Sequence, residues 1–177
     1  MIKKPSAQLT NLITSLAKEA VENYVRHERT IKNTSSHPFL LKPGAAFVSL
    51  KIKKQLRGCL GSIEPQKKTL AEEIIANAVS AATHDYRFNP VQIQELAHIA
   101  YSIDVLSKLT PVKSLKELDA QKYGVLVEKG ISKGLLLPNL EGVETVKQQL
   151  DIAKHKAGIF ENSGLTIYRF EVQRFLC

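Results

Sequence analysis

The stretch from Gln55 to Pro65, QLRGCLGSIEP, constrains what this chain can fold into more than any other. It reads as a β-strand by the spacing of Leu56 and Leu60, yet it contains Gly58 and Gly61, which offer a strand no side chain to pack. Glycine inside a strand marks a bulge, or a place where another backbone or a ligand comes close. With a side-chain period of two, Arg57, Cys59 and Gly61 share one face and Leu56, Gly58 and Leu60 the other. A cation and the only internal thiol therefore stand two residues apart beside a gap without side chains.

The neighbouring segments fit a compact mixture of helices and hairpins. Ser6 can cap a helix to about His27, with an apolar stripe of Leu9, Ile13, Leu16, Ala20 and Tyr24. Residues 30–44 hold serines, two prolines and a glycine and read as a surface loop. Ala45 to Ile52 alternates and turns through Lys53–Gln55 into the glycine-bearing strand, forming a hairpin. Thr69 and Glu72 have capping-box spacing before a helix that ends at Asp85-Tyr86-Arg87-Phe88-Asn89-Pro90. A strand over Ile99–Ser107 follows, with Ile99, Tyr101, Ile103 and Val105 facing one way and Asp104 the other. Ser114 and Glu117 open a short helix, and a second hairpin turns at Lys129-Gly130. Thr145 and Gln148 open a last helix stopped by Gly158, and one strand runs from Leu165 to Phe175. This order predicts an α+β fold, a largely antiparallel mixed sheet packed by helices. The expected organisation is a single domain over 1–177, with a smaller appended lobe within 111–158.

At 177 residues, 44% of them hydrophobic, the chain can bury one good core. No apolar run reaches the roughly 20 residues of a membrane span, and no secretory leader is read at the start. Two cysteines make no disulfide framework, so a cytoplasmic location is expected. The net charge of +8 permits an acidic partner. Lys51, Lys53, Lys54, Lys67 and Lys68 form the densest basic stretch, which either solvates a hairpin or makes weak nucleic-acid contact. The absence of interleaved aromatics disfavours base stacking there.

The segments GAAFVSLK, QLRGCLGSIEP, LAEEIIANAVSAATHDYRF, YSIDVLS, YGVLVEKG and GLLLPNLEGVETVKQQLDIAKHKAGI follow one another as in the AMMECR-type domain, and nearly the whole chain resembles it. The likeness is greatest to the bacterial AmmeMemoRadiSam system protein A group. Members usually show isoleucine at the position of Leu60, and Asp-Pro-Arg-Phe where this chain reads Asp85-Tyr86-Arg87-Phe88. The resemblance implies an α+β fold with a larger and a smaller part. It also implies association with a Memo-like protein and a radical SAM protein, rather than chemistry residing in this chain.

Two functions from different classes follow. In the first, the chain is an accessory or adaptor protein whose LRGCLG strand lines a ligand or partner cleft with Arg57, Gly58, Gly61, Glu64, Asp85, Arg87 and Phe88. In the second, it is an enzyme with Cys59 as nucleophile or redox group and Arg57 as anion clamp, acting on a small or nucleic-acid-linked substrate. Catalysis by Cys59 calls for a base, and His84 beside Asp85 is the histidine best placed in sequence. Cys59 equally reads as a small buried hydrophobe, and Arg57 equally pairs with Asp85 or Glu64. No cofactor is expected. No metal site is expected either, because no Cys-x-x-Cys or His-x-x-x-His spacing occurs.

Overall fold

The computed structural model describes residues 5–177. Helix α1 (Ala7–His27) starts where Ser6 Oγ accepts the Leu9 N–H at 3.2 Å. Within the expected loop, a short helix α2 (Pro38–Leu41) forms because Pro38 suits a first helical turn and His37 Nδ1 accepts the Phe39 N–H. Strands β1 (Ala45–Ile52) and β2 (Gln55–Gly61) pair antiparallel. Their two-residue turn places Lys53 and Lys54 at φ 51° and 69°, the geometry that matches strand twist. The Thr69–Glu72 capping box opens α3 (Leu70–Thr83). A 3-10 helix (Ile93–His98) precedes β3 (Ala100–Leu106).

The next segment holds β4 (Thr110–Pro111), a 3-10 turn (Leu115–Glu117) with its Ser114–Glu117 capping box, β5 (Gly124–Lys129) and β6 (Ser132–Leu136). Helix α4 (Val146–Lys156) begins at the Thr145–Gln148 capping box, and Gly158 follows it at φ +66°. Strands β7 (Thr166–Phe170) and β8 (Val172–Leu176) complete the order.

Two antiparallel sheets packed by helices give the α+β class expected from the sequence. Among the described residues the strand orders are β2-β1-β3-β8 and β4-β7-β5-β6. The described chain divides into two compact units, the first comprising residues 5–105 together with 173–177, the second 106–172. In the first, Ile13, Val48, Leu50, Ile74, Ile103 and Phe175 are fully buried. Each such side chain contributes about 1.5–3 kcal/mol on burial. In the second, Val125, Val127, Leu150 and Ala153 form a separate core.

One expectation is corrected. The strand read as continuous over Leu165–Phe175 breaks at Glu171, and β7 and β8 join different sheets. Asp104, on the other side of β3 from Ile103 and Val105, is 3% exposed, and its two oxygens accept from Arg174 Nε at 2.6 Å and Nη2 at 3.1 Å. Its neighbour β8 supplies the charge that makes burial tolerable. Among the described residues no helix is long and apolar enough to cross a membrane. Nor, among them, do three or more His, Cys, Asp or Glu residues cluster to hold a metal ion.

Candidate functional site

Strand β2 is an edge strand, and its irregularity has a specific cause. The pairing steps from Leu50↔Gly58 to Lys51↔Leu56, so Arg57 is the extra residue of a β-bulge. A bulge re-aims its side chain. The Arg57 guanidinium turns to Glu95 on the 3-10 helix and donates from Nε at 2.6 Å and Nη2 at 2.9 Å. This two-pronged pair is partly buried on both sides. It holds the Glu95 carboxyl below the usual carboxylate range. Arg57 therefore pairs with neither Asp85 nor Glu64. The Glu64 side chain is exposed and enters no ion pair among the described residues.

Asp85 serves the strand edge instead. Its carboxylate is 4% exposed and accepts the Cys59 backbone N–H at 2.8 Å. It also accepts from Arg87 Nε at 2.9 Å, from Arg87 Nη2 at 2.7 Å and from the Arg87 backbone N–H at 3.2 Å. Arg87 Nη2 reaches back to the Cys59 carbonyl at 3.4 Å. The acid and the guanidinium thus answer the donor and acceptor that Cys59 presents at the open edge, as a neighbouring strand would. Arg87 holds the Asp85 carboxyl far below the usual range, and Asp85 in turn raises Arg87. Phe88 completes the cluster, with the Arg87 guanidinium 5.5 Å and that of Arg57 6.0 Å from its ring centroid.

Cys59 is half-buried and accepts the Ser49 hydroxyl at Sγ, 3.1 Å away across the hairpin. Burial pushes its thiol up, and the Ser49 hydroxyl and Arg87 pull it back only in part. A nucleophilic cysteine needs the opposite shift. His84 engages the Thr83 hydroxyl at 2.6 Å. Neither glycine leaves the space that the sequence offered to a ligand. A Cβ at Gly58 would overlap the Ala81 carbonyl oxygen of α3, and one at Gly61 would overlap the Phe47 ring lying across from it. The gaps serve close packing of helix and aromatic ring.

The structure therefore brings Arg57, Cys59, Asp85, Arg87 and Phe88 together. It adds Glu95 and Ser49, which sequence reasoning did not identify. The turn at Lys53–Lys54 alone would set Val48 opposite Cys59; the bulge at Arg57 shifts the register by one residue and brings Ser49 there instead. The basic stretch does not stay together. Lys51, Lys53 and Lys54 stand at or beside the hairpin turn, whereas Lys67 and Lys68 follow the far end of β2, roughly 20 Å along the strand.

A model of the AMMECR1 family matches residues 14–175. A protein of Thermotoga maritima is 50% identical over 159 residues, covering 88% of this chain and 91% of that protein. A protein of Clostridium acetobutylicum is 45% identical over 164 residues, or 92% of this chain; the match takes up 32% of that protein, so the chain spans about a third of its length. The crystal structure of an uncharacterized protein from Pyrococcus horikoshii has the same fold, with a TM-score of 0.90 at 26% identity, covering 97% of this chain and 93% of the other. By the match of the family model and the likeness to these relatives, the chain belongs to the AMMECR1 family.

Proposed function

We propose that this chain is a non-catalytic accessory protein of the AmmeMemoRadiSam type, and that it docks a partner on the 85–88 turn and the adjoining part of β2. One observation carries the reading. Tyr86 is 94% exposed, although the residues on either side of it, Asp85 and Arg87, are fixed to each other and to Cys59. A large aromatic side chain held outward on a rigid turn has little entropy to lose on binding, as interface anchors do. Leu56, next to Arg57, and Ile93, on the 3-10 helix that carries Glu95, add exposed apolar surface, at 39% and 52%. The charged groups of the cluster are satisfied by one another, which suits a platform better than a catalytic centre. The enzymatic alternative, with Cys59 as nucleophile and Arg57 as anion clamp, draws no support from a thiol pushed up by burial or a guanidinium held by Glu95.

The length of the Clostridium relative agrees with this reading, because there the matched region is accompanied by a further segment about twice its size. The partners implied by family association are a Memo-like protein and a radical SAM protein, and two free cysteines suit a cytoplasmic setting. Titration of each purified candidate partner into this chain tests the proposal. The expected result is a saturable complex that Tyr86→Ala weakens by at least about tenfold, a typical anchor-residue effect, while Cys59→Ser leaves it unchanged. No complex with either partner, or one indifferent to Tyr86→Ala, would overturn the docking site.

A further inference from the structure

We propose that an open groove on the first unit, lined by none of the residues of the 85–88 turn, binds a phosphorylated small molecule with an apolar body, of nucleoside-diphosphate size. The groove has a volume of about 920 Å³, within the range of about 300–1,000 Å³ found for small-molecule sites. Ile31, Ile75, Ala76 and Val79 supply an aliphatic floor, and Lys32, Lys67 and Lys68 supply the charge. Among the described residues none of these three lysines has an ion-pair partner. The acid lining the groove, Glu72, is committed to the Thr69 N–H of its capping box.

The basic rim is built rather than loose. Glu73, 1% exposed, accepts the backbone N–H groups of Gln66 at 2.8 Å and Lys67 at 2.9 Å, together with the Ser62 hydroxyl. Asn77 donates to Glu73 at 3.2 Å and to the Ala46 carbonyl at 3.0 Å, tying that carboxylate to β1. On the other side the Asn33 side chain closes a turn, accepting the Ser35 N–H at 2.9 Å and donating to the Ser35 carbonyl at 3.1 Å. A buried carboxylate thus holds the backbone from which Lys67 projects, which lowers the ordering cost of binding an anion.

The chemistry selects the ligand class. Ammonium groups act as point charges towards phosphate. The floor is aliphatic, so it covers an apolar body but gives no aromatic platform for successive bases of a single strand. The proposal does not depend on the docking surface at Tyr86.

Fluorescence titration with N-methylanthraniloyl-ADP, a diphosphate carrying an apolar fluorophore, tests it at low ionic strength. Saturable binding is expected, and Lys67→Glu with Lys68→Glu should weaken it at least about tenfold, since each charged contact is worth more than a neutral one. Lys51→Glu with Lys53→Glu makes the same charge change at the hairpin turn and should leave binding nearly unchanged. Ala76→Trp, which fills the floor, should weaken binding with all three lysines in place, and circular dichroism confirms that each variant is folded. Unlabelled ADP should displace the probe better than inorganic pyrophosphate does. The proposal is overturned by no saturation up to about 1 mM, an affinity too weak for a site of this size. Equal losses from both charge-reversed pairs would mark mere net-charge attraction and overturn it too. So would pyrophosphate that competes as well as ADP, because the apolar floor would then contribute nothing.

Discussion

Asp85→Asn isolates what the edge clasp contributes, because it changes charge and hydrogen-bonding sense without changing volume. In the native chain Oδ2 accepts from Cys59 N–H at 2.8 Å and Arg87 Nη2 at 2.7 Å, while Oδ1 accepts from Arg87 N–H and Nε. An amide keeps one oxygen, so either orientation loses two of these bonds and sets an NH₂ group against donors. A hydrogen bond to a charged group contributes about 1.5–3 kcal/mol. The Arg87 side chain is 44% exposed and water repairs its share, whereas the Cys59 peptide is covered by the clasp. The net loss is therefore about 2–3 kcal/mol, the upper part of the range for one charged bond. With a slope of about 2 kcal/mol per molar urea, the unfolding midpoint of the first unit should fall by about 1–1.5 M. Amide exchange at Cys59 should accelerate, and a cycle with Arg87→Gln should show coupling of at least about 1 kcal/mol. A midpoint shift below about 0.3 M, or additive single and double variants, would show that the clasp does not hold the edge.

Acid should dissolve the same network. Arg87 beside Asp85 and Arg57 beside Glu95 hold both carboxyls below their ordinary range, so the folded unit binds fewer protons there than the unfolded chain. Their stabilisation is full above the unfolded values near 4 and fades as pH falls towards the lowered folded ones. Urea midpoints should therefore drop as pH falls from about 5 towards about 2, less steeply in Asp85→Asn, and a flat wild-type profile would contradict the assignment. Gly58→Ala should cost about 2–3 kcal/mol, because its Cβ would push β2 away from the Ala81 carbonyl. Gly130→Ala, at φ +59° with open space around it, should cost only about 1–2 kcal/mol. Chemical denaturation that ranks the two in the opposite order would refute the close-approach reading.

What the sequence disclosed was local. The caps at Ser6, Thr69, Ser114 and Thr145 each rest on a side chain meeting a backbone group two or three residues away, and all four form. The hairpins at Lys53 and Gly130 were legible for the same reason. The partner of Arg57 was not, because Glu95 lies 38 residues on, in a 3-10 helix whose period leaves little amphipathic trace. The bulge that redirects Arg57 leaves a glycine-rich signal but not its direction. The break at Glu171 was hidden because the alternation of Tyr168, Phe170 and Val172 runs across it; the phase changes only beyond, where Arg174 is exposed and Phe175 buried. Burial of Asp104 likewise depends on Arg174, 70 residues away.

The break at Glu171 also sets an order of events during synthesis. The first unit needs Gln173–Cys177, including fully buried Phe175, yet those residues follow the whole of the second unit in the chain. As the polypeptide leaves the ribosome, α1, α3 and the β1–β2 hairpin emerge early and wait with the β3 edge unpaired while residues 106–172 are made. The second unit, contiguous in sequence, can close on itself during that interval. The earlier-made half of the protein is thus the later to finish, and its nascent apolar face is the one a chaperone would meet.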